Sequence, residues 1–121
     1  MPASSWQEFF RTCSGCRVDD LATHYYTCQI SHVMDFLHEL YTSFHRKIWL
    51  TEVACPTHSY SHALTFMQEL LPRLEASEYV FRYGWYTTRV HGSGAATHEN
   101  SLLHTNDATF TTLGNYYHNF M

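Results

Sequence analysis

The feature that most constrains this chain is an alternation: short apolar runs of strand character recur between longer stretches with helical spacing. Ile48-Trp49-Leu50 places three large apolar residues in a row, continues into Thr51-Glu52-Val53-Ala54-Cys55, and stops at Pro56. An unalternated run of this kind predicts a strand buried on both faces, as in a parallel sheet. Upstream, Ser31 opens a helix with an apolar stripe of Val33, Phe36, Leu37, Leu40, Tyr41 and Phe44, ending at Lys47. Downstream, a helix over about 59–74 turns Leu64, Met67, Leu70, Leu71 and Leu74 inward, and Pro72 kinks or restarts it near its end. Residues 18–26 and 79–88 read as two further strands. A first helix over about 5–13 follows from the Ser5/Glu8 capping box and the Trp6, Phe9, Phe10, Cys13 stripe, with Gly15 as a left-handed stop. Residues 90–101 are rich in Gly and Ser and read as a loop, and a turn near Asn106-Asp107 leads to a terminal helix in TTLGNYYHNF. Helices and strands in strict alternation mean βαβ units, a parallel sheet and right-handed connections. Three strands make a small sheet for this class.

Composition narrows the partners. A length of 121 residues suits one domain or a piece of a larger one. Apolar residues at 45 % against 15 % charged ones predict a folded chain. Seven Lys and Arg and a formal charge of −4 argue against nucleic acid or an anionic membrane surface as partner. No run approaches the roughly 18 apolar residues of a transmembrane helix. The opening MPASSWQEFF has neither the basic nor the apolar region of a signal peptide, so the chain is either cytosolic or lacks an upstream part. Aromatics reach 17 %, enough to pack a core or to line a site that stacks on flat ligands, sugars among them. Cys13, Cys16, Cys28 and Cys55 permit two disulfides with three connectivities, or none. Cys13-x-x-Cys16 has the spacing of half a zinc site, but no second pair lies at a suitable distance in sequence, and no metal or other cofactor is expected.

In parallel α/β folds, functional side chains stand at the C-terminal ends of the strands. Glu52 occupies that position where Ile48-Trp49-Leu50 gives way to a loop. The neighbouring strand ends bring His24 and Tyr26 to one face, and Tyr83 and Trp85 to one face, by the two-residue period of a strand. Glu52, His24, Tyr26, Tyr83 and Trp85 converging on one rim would form a sugar-binding cleft, with the indole offering a flat apolar surface to a pyranose ring.

The segments HRKIWLTEVAC, LPRLEASEYVFRYGWYTTR, NSLL and TTLGNYY, together with His24-Tyr25-Tyr26, resemble the C-terminal part of glycoside hydrolase family 128, the alkali-sensitive-linkage-protein-like catalytic domain. The resemblance runs from about Trp6 to Tyr117. It implies a TIM (β/α)8 barrel of which this chain carries roughly strands six to eight with flanking helices, residues 1–121 being the C-terminal portion of the catalytic domain. It implies hydrolysis of β-1,3-glucan with retention of configuration, Glu52 matching the nucleophile at the seventh strand. His24 and Tyr26 match a His-Trp-Tyr segment on the sixth strand, and Trp85 an aromatic on the eighth. Tyr25 stands where the family usually has Trp, and Ala108 where a Gly often sits.

Retaining glycosidases use two carboxyl groups about 5–5.5 Å apart. The family's acid/base is a Glu in an Asn-Glu-Pro-like motif on the fourth strand, and this chain has no Asn-Glu dipeptide; His98-Glu99-Asn100 reverses it. The expectation is a chain that carries the nucleophile side and has little or no hydrolase activity alone, a non-catalytic glucan- or cell-wall-binding remnant being the alternative. The resemblance places the protein outside the cell or in its wall, and favours a disulfide, either Cys13–Cys16 or one of the two with Cys28, over four free thiols. A part-barrel also leaves segments 18–26 and 79–88 as open sheet edges, so self-association, a partner half-barrel or poor solubility is expected.

Overall fold

The computed structural model describes residues 3–92 and 94–120; Met1, Pro2, Ser93 and Met121 lie outside them. The elements are α1 (Ala3–Thr12), β1 (Asp20–Tyr26), α2 (Ile30–Phe44), β2 (Lys47–Ala54), α3 (Tyr60–Ala76), β3 (Val80–Trp85), a single 3-10 turn (His98–Asn100) and α4 (Thr112–Asn119). The three strands form one parallel sheet in the order β1-β2-β3. The predicted order of elements and the central place of β2 hold, so β1 and β3 are the sheet's edges.

Local chemistry accounts for the helix ends. Ser59 caps α3 by accepting a hydrogen bond from the His62 amide at 3.2 Å. Thr111 does the same for α4 through the Gly114 amide at 3.0 Å. Gly114 is needed for a close approach: a Cβ there would lie 1.9 Å from the Leu102 carbonyl oxygen. Helix α1 begins at Ala3, so Ser5 lies inside it and does not cap it. Gly15 has φ +87° in the turn that follows, as its place in Cys-Ser-Gly-Cys predicts. Helix α3 runs through Pro72 to Ala76 without restarting.

One layer of helices covers one face of the sheet. Val33, Leu37 and Leu40 of α2 and Phe66, Met67, Leu70, Leu71 and Leu74 of α3 pack on Leu21, Ile48, Leu50 and Val53. Each such side chain contributes roughly 1.5–3 kcal/mol by leaving water. The other face is open. Trp49 is 39 % exposed and Phe81 46 % exposed, their rings 5.4 Å apart. Strand β2 is therefore not buried on both faces: Ile48 and Leu50 point to the helices, while no element among the described residues covers Trp49 and Thr51.

All four cysteines are paired, Cys13 with Cys16 and Cys28 with Cys55. The second pairing completes one of the three connectivities the four residues permit, though it is not one the resemblance favours. It arises because β1 and β2 end side by side, which brings residues 28 and 55 together.

Candidate functional site

The alternation along β2 raises a problem for Glu52. Ile48 and Leu50 face the helices, so uninterrupted alternation would send residue 52 there too. A β-bulge prevents it. Thr23 pairs with Leu50 but His24 pairs with Glu52, leaving Thr51 as an extra residue. The same offset appears towards β3, where Leu50 pairs with Tyr83 and Val53 with Trp85. The inserted residue resets the phase, so Glu52 turns to the open face and Val53 becomes fully buried. The Thr51 hydroxyl donates to the Thr23 carbonyl at 2.9 Å and ties the bulge to β1.

The Glu52 carboxylate accepts a hydrogen bond from the Tyr26 hydroxyl. The His24 ring lies 5.7 Å from that of Tyr26, and Tyr86 meets Tyr26 edge to face at 5.9 Å. The structure thus brings together a carboxylate, a phenol, an imidazole and a second phenol at the C-terminal ends of the strands. The hydroxyl bond orients the carboxylate.

Tyr83 and Trp85 share a face, as the strand period predicts, but it is the helix-covered face and not the rim. Trp85 is 7 % exposed, packs near Phe66 at 6.1 Å, and donates its indole N–H to the Asn100 carbonyl at 2.9 Å. Its partner Val53 lies on that same face, which settles the direction. Tyr83 donates its hydroxyl to Glu75 of α3 at 2.6 Å. Burial, then the Glu75 bond, push the Tyr83 phenol above the ordinary tyrosine range. Because its pKa is raised in the fold, the stability tied to its proton is full below about pH 10, the unfolded tyrosine value, and is lost as pH rises further. Tyr83→Phe is expected to flatten the alkaline fall in urea midpoint between about pH 10 and 12 relative to the parent; an unchanged slope would contradict this.

Two residues that hold the rim carry no obvious motif. Tyr86 follows Trp85 and so faces the other side of the sheet; its amide donates to the Val53 carbonyl at 2.9 Å. Asn100 is fully buried, and its side-chain amide accepts from the Cys55 amide at 2.9 Å and donates to the Cys55 carbonyl at 2.7 Å. It acts as a one-residue strand partner for the chain three residues beyond Glu52. The Cys28–Cys55 disulfide and the Thr27 amide bond to the Ala54 carbonyl, at 3.0 Å, secure the same place from the β1 side.

The donor set does not favour a metal. Cys28, Cys55 and His62 come within 4.8 Å of one another, but the two sulfurs share a disulfide and offer no thiolate. Cys13 and Cys16 are closed in the same way.

Comparisons with known proteins identify the family of the chain. Residues 3–117 match the family described as glycosyl hydrolase catalytic core. Alkali-sensitive linkage protein 1 of Schizosaccharomyces pombe is 29 % identical over 102 residues, covering 79 % of this chain and 19 % of that protein. A GH128 subgroup II endo-β-1,3-glucanase from Sorangium cellulosum superposes with a TM-score of 0.85 at 29 % identity, over 97 % of this chain and 47 % of that one. A GH128 subgroup VII oligosaccharide-binding protein from Cryptococcus neoformans gives 0.78 at 21 % identity, over 95 % and 45 %. The chain spans about half the length of these two solved relatives.

Proposed function

Because the chain belongs to the glycosyl hydrolase catalytic core family, we propose that its open rim is the nucleophile side of a β-1,3-glucan site. The observation that carries this is the bulge that turns Glu52 to the open face and into hydrogen bond with Tyr26. The S. cellulosum relative is an endo-β-1,3-glucanase, which supports the substrate class. Glu52 is the carboxylate that would attack the anomeric carbon. Tyr26 orients it, and His24 stands where a sugar hydroxyl could be bound. The aromatic wall is Tyr86 rather than Trp85, since the indole is committed to the core.

Retaining hydrolysis needs a second carboxyl group to protonate the leaving oxygen and later activate water. The partner that Glu52 shows is a hydroxyl. The chain alone is therefore expected to give no reducing sugar from laminarin, and turnover that disappears in Glu52→Gln would overturn this half-site reading. The glucan reading itself is tested by titrating laminarihexaose while following the His24 and Tyr26 resonances by NMR. Shifts confined to these and their neighbours are expected; with the rim resonances unmoved at saturating sugar, the site is not a glucan site. The second reading, glucan binding without turnover, is favoured by the same hydroxyl-only pairing and gives shifts with no hydrolysis in any assembly. Both readings place the protein outside the cell or in the wall. The pairing of all four cysteines supports an oxidising compartment.

A further inference from the structure

A large groove lies away from the rim. It has a volume of about 770 Å³ and runs along the edge of β3, with Val80, Phe81, Arg82 and Tyr83 on one side and Gly114 and Tyr117 of α4, and Phe120 just beyond it, on the other. Helix α4 packs on α3, leaving a slot between itself and the strand edge. The Tyr117 hydroxyl already takes the Trp85 amide at 3.3 Å, so the part of the edge left for pairing is Val80–Tyr83. A slot with a strand edge as its floor and an amphipathic helix as its roof has the shape of a place for one more parallel strand. Around the corner, Trp49 and Phe81 lie exposed on the open sheet face, and among the described residues no further strand pairs with the far edge, β1.

We propose that the β3 slot, the open sheet face and the β1 edge form one docking surface for the complementary βα half of a barrel of this same family. The inference rests on family membership and not on any chemistry of Glu52. The solved relatives are about twice this length, and this chain overlays nearly whole on the S. cellulosum enzyme, so that enzyme carries as much chain again to cover the equivalent surface. A second copy of this chain does not serve. Two copies would close six strands, and barrel width falls roughly in proportion to strand number, about eight being needed to house a filled interior. Six strands would force two Trp49 and two Phe81 rings into a narrower core.

The test co-expresses this chain with the portion of the S. cellulosum glucanase that the chain does not cover, the glucanase's own two portions serving as the matched control. A one-to-one complex is expected by light scattering, with the outward amides of Val80–Tyr83 exchanging at least about a hundredfold more slowly than in the chain alone. Phe81→Asp is expected to abolish the complex, and Tyr60→Asp, at an exposed site away from the β3 slot and the open face, to leave it intact. The proposal is overturned if the control pair assembles and this chain does not, if the chain forms a homodimer that excludes the glucanase portion, or if the chain alone is a monomer with those amides already protected. Should the control pair fail to assemble, the two pieces are fused in one polypeptide; protected Val80–Tyr83 amides then support the proposal and freely exchanging ones overturn it. None of these readouts involves sugar, so a failure here is distinct from a failure of the glucan reading.

Discussion

Asn100→Leu is expected to lower the unfolding free energy by about 3–5 kcal/mol, among the largest effects of any single substitution outside the apolar core. The side chains are close in size, so the loss is one of hydrogen bonds and not of volume. Asn100 serves both the amide and the carbonyl of Cys55, a residue with no exposure. Leucine leaves both groups buried without a partner, at about 1–3 kcal/mol each. The bond from Trp85 goes to the Asn100 backbone carbonyl and survives the change. Urea unfolding at fixed protein concentration measures the loss; a fall below about 1 kcal/mol would mean that water replaces the amide and that Asn100 does not clamp the strand. Asn100→Asp separates the two bonds. A carboxylate still accepts from the Cys55 amide but faces the Cys55 carbonyl with no proton to give. Its pKa is then raised in the fold, so this variant is expected to be most stable below about pH 4 and to lose stability as pH rises through the folded value.

The clamp also shows where sequence pattern stops being informative. The βα alternation, the strand order and the position of Glu52 at a strand end were legible because burial enforces them: apolar stripes must meet an apolar sheet. The direction in which Glu52 points was not. Parity from Ile48 and Leu50 assigns residue 52 to the helix face, and only the extra residue at Thr51 reverses it. A bulge is a property of two strands in register, and a single strand's sequence does not display it. Trp85 misleads for a related reason. An indole suits a sugar platform and a core equally, and what decides is its pairing with Val53, which follows from the same bulge. Tyr86 was recoverable in principle, since whichever face Trp85 takes, its neighbour takes the other. The unalternated run around Trp49 reads as buried on two sides because it has the composition of a barrel interior, while the described residues cover only one of those sides.

Placed in a completed barrel, by association or by fusion as described above, Glu52→Ala is expected to reduce kcat on laminari-oligosaccharides by at least about a thousandfold. In the retaining route the carboxylate displaces the leaving sugar from the opposite face of the anomeric carbon, and the resulting ester is then hydrolysed by water on the face the leaving group vacated. Removing the carboxylate removes the first step and vacates its space, leaving the other half's acid in place. A small anionic nucleophile can then do what Glu52 did. Azide is expected to restore turnover and to become bonded to the anomeric carbon, the leaving oxygen departing with the proton supplied by the acid. One displacement inverts configuration, so a β-linked substrate gives the α-glycosyl azide. Loss of an acid/base residue has the opposite signature: the nucleophile still forms its ester, azide intercepts it in a second displacement, and the product is the β-azide. The anomeric configuration, read from the proton coupling in the product's NMR spectrum, therefore assigns the role of Glu52 independently of how much activity is lost. An α-azide supports the nucleophile. A β-azide, or a Glu52→Ala barrel that keeps parental turnover, assigns the nucleophile elsewhere and leaves the Tyr26–Glu52 pair as a brace between β1 and β2.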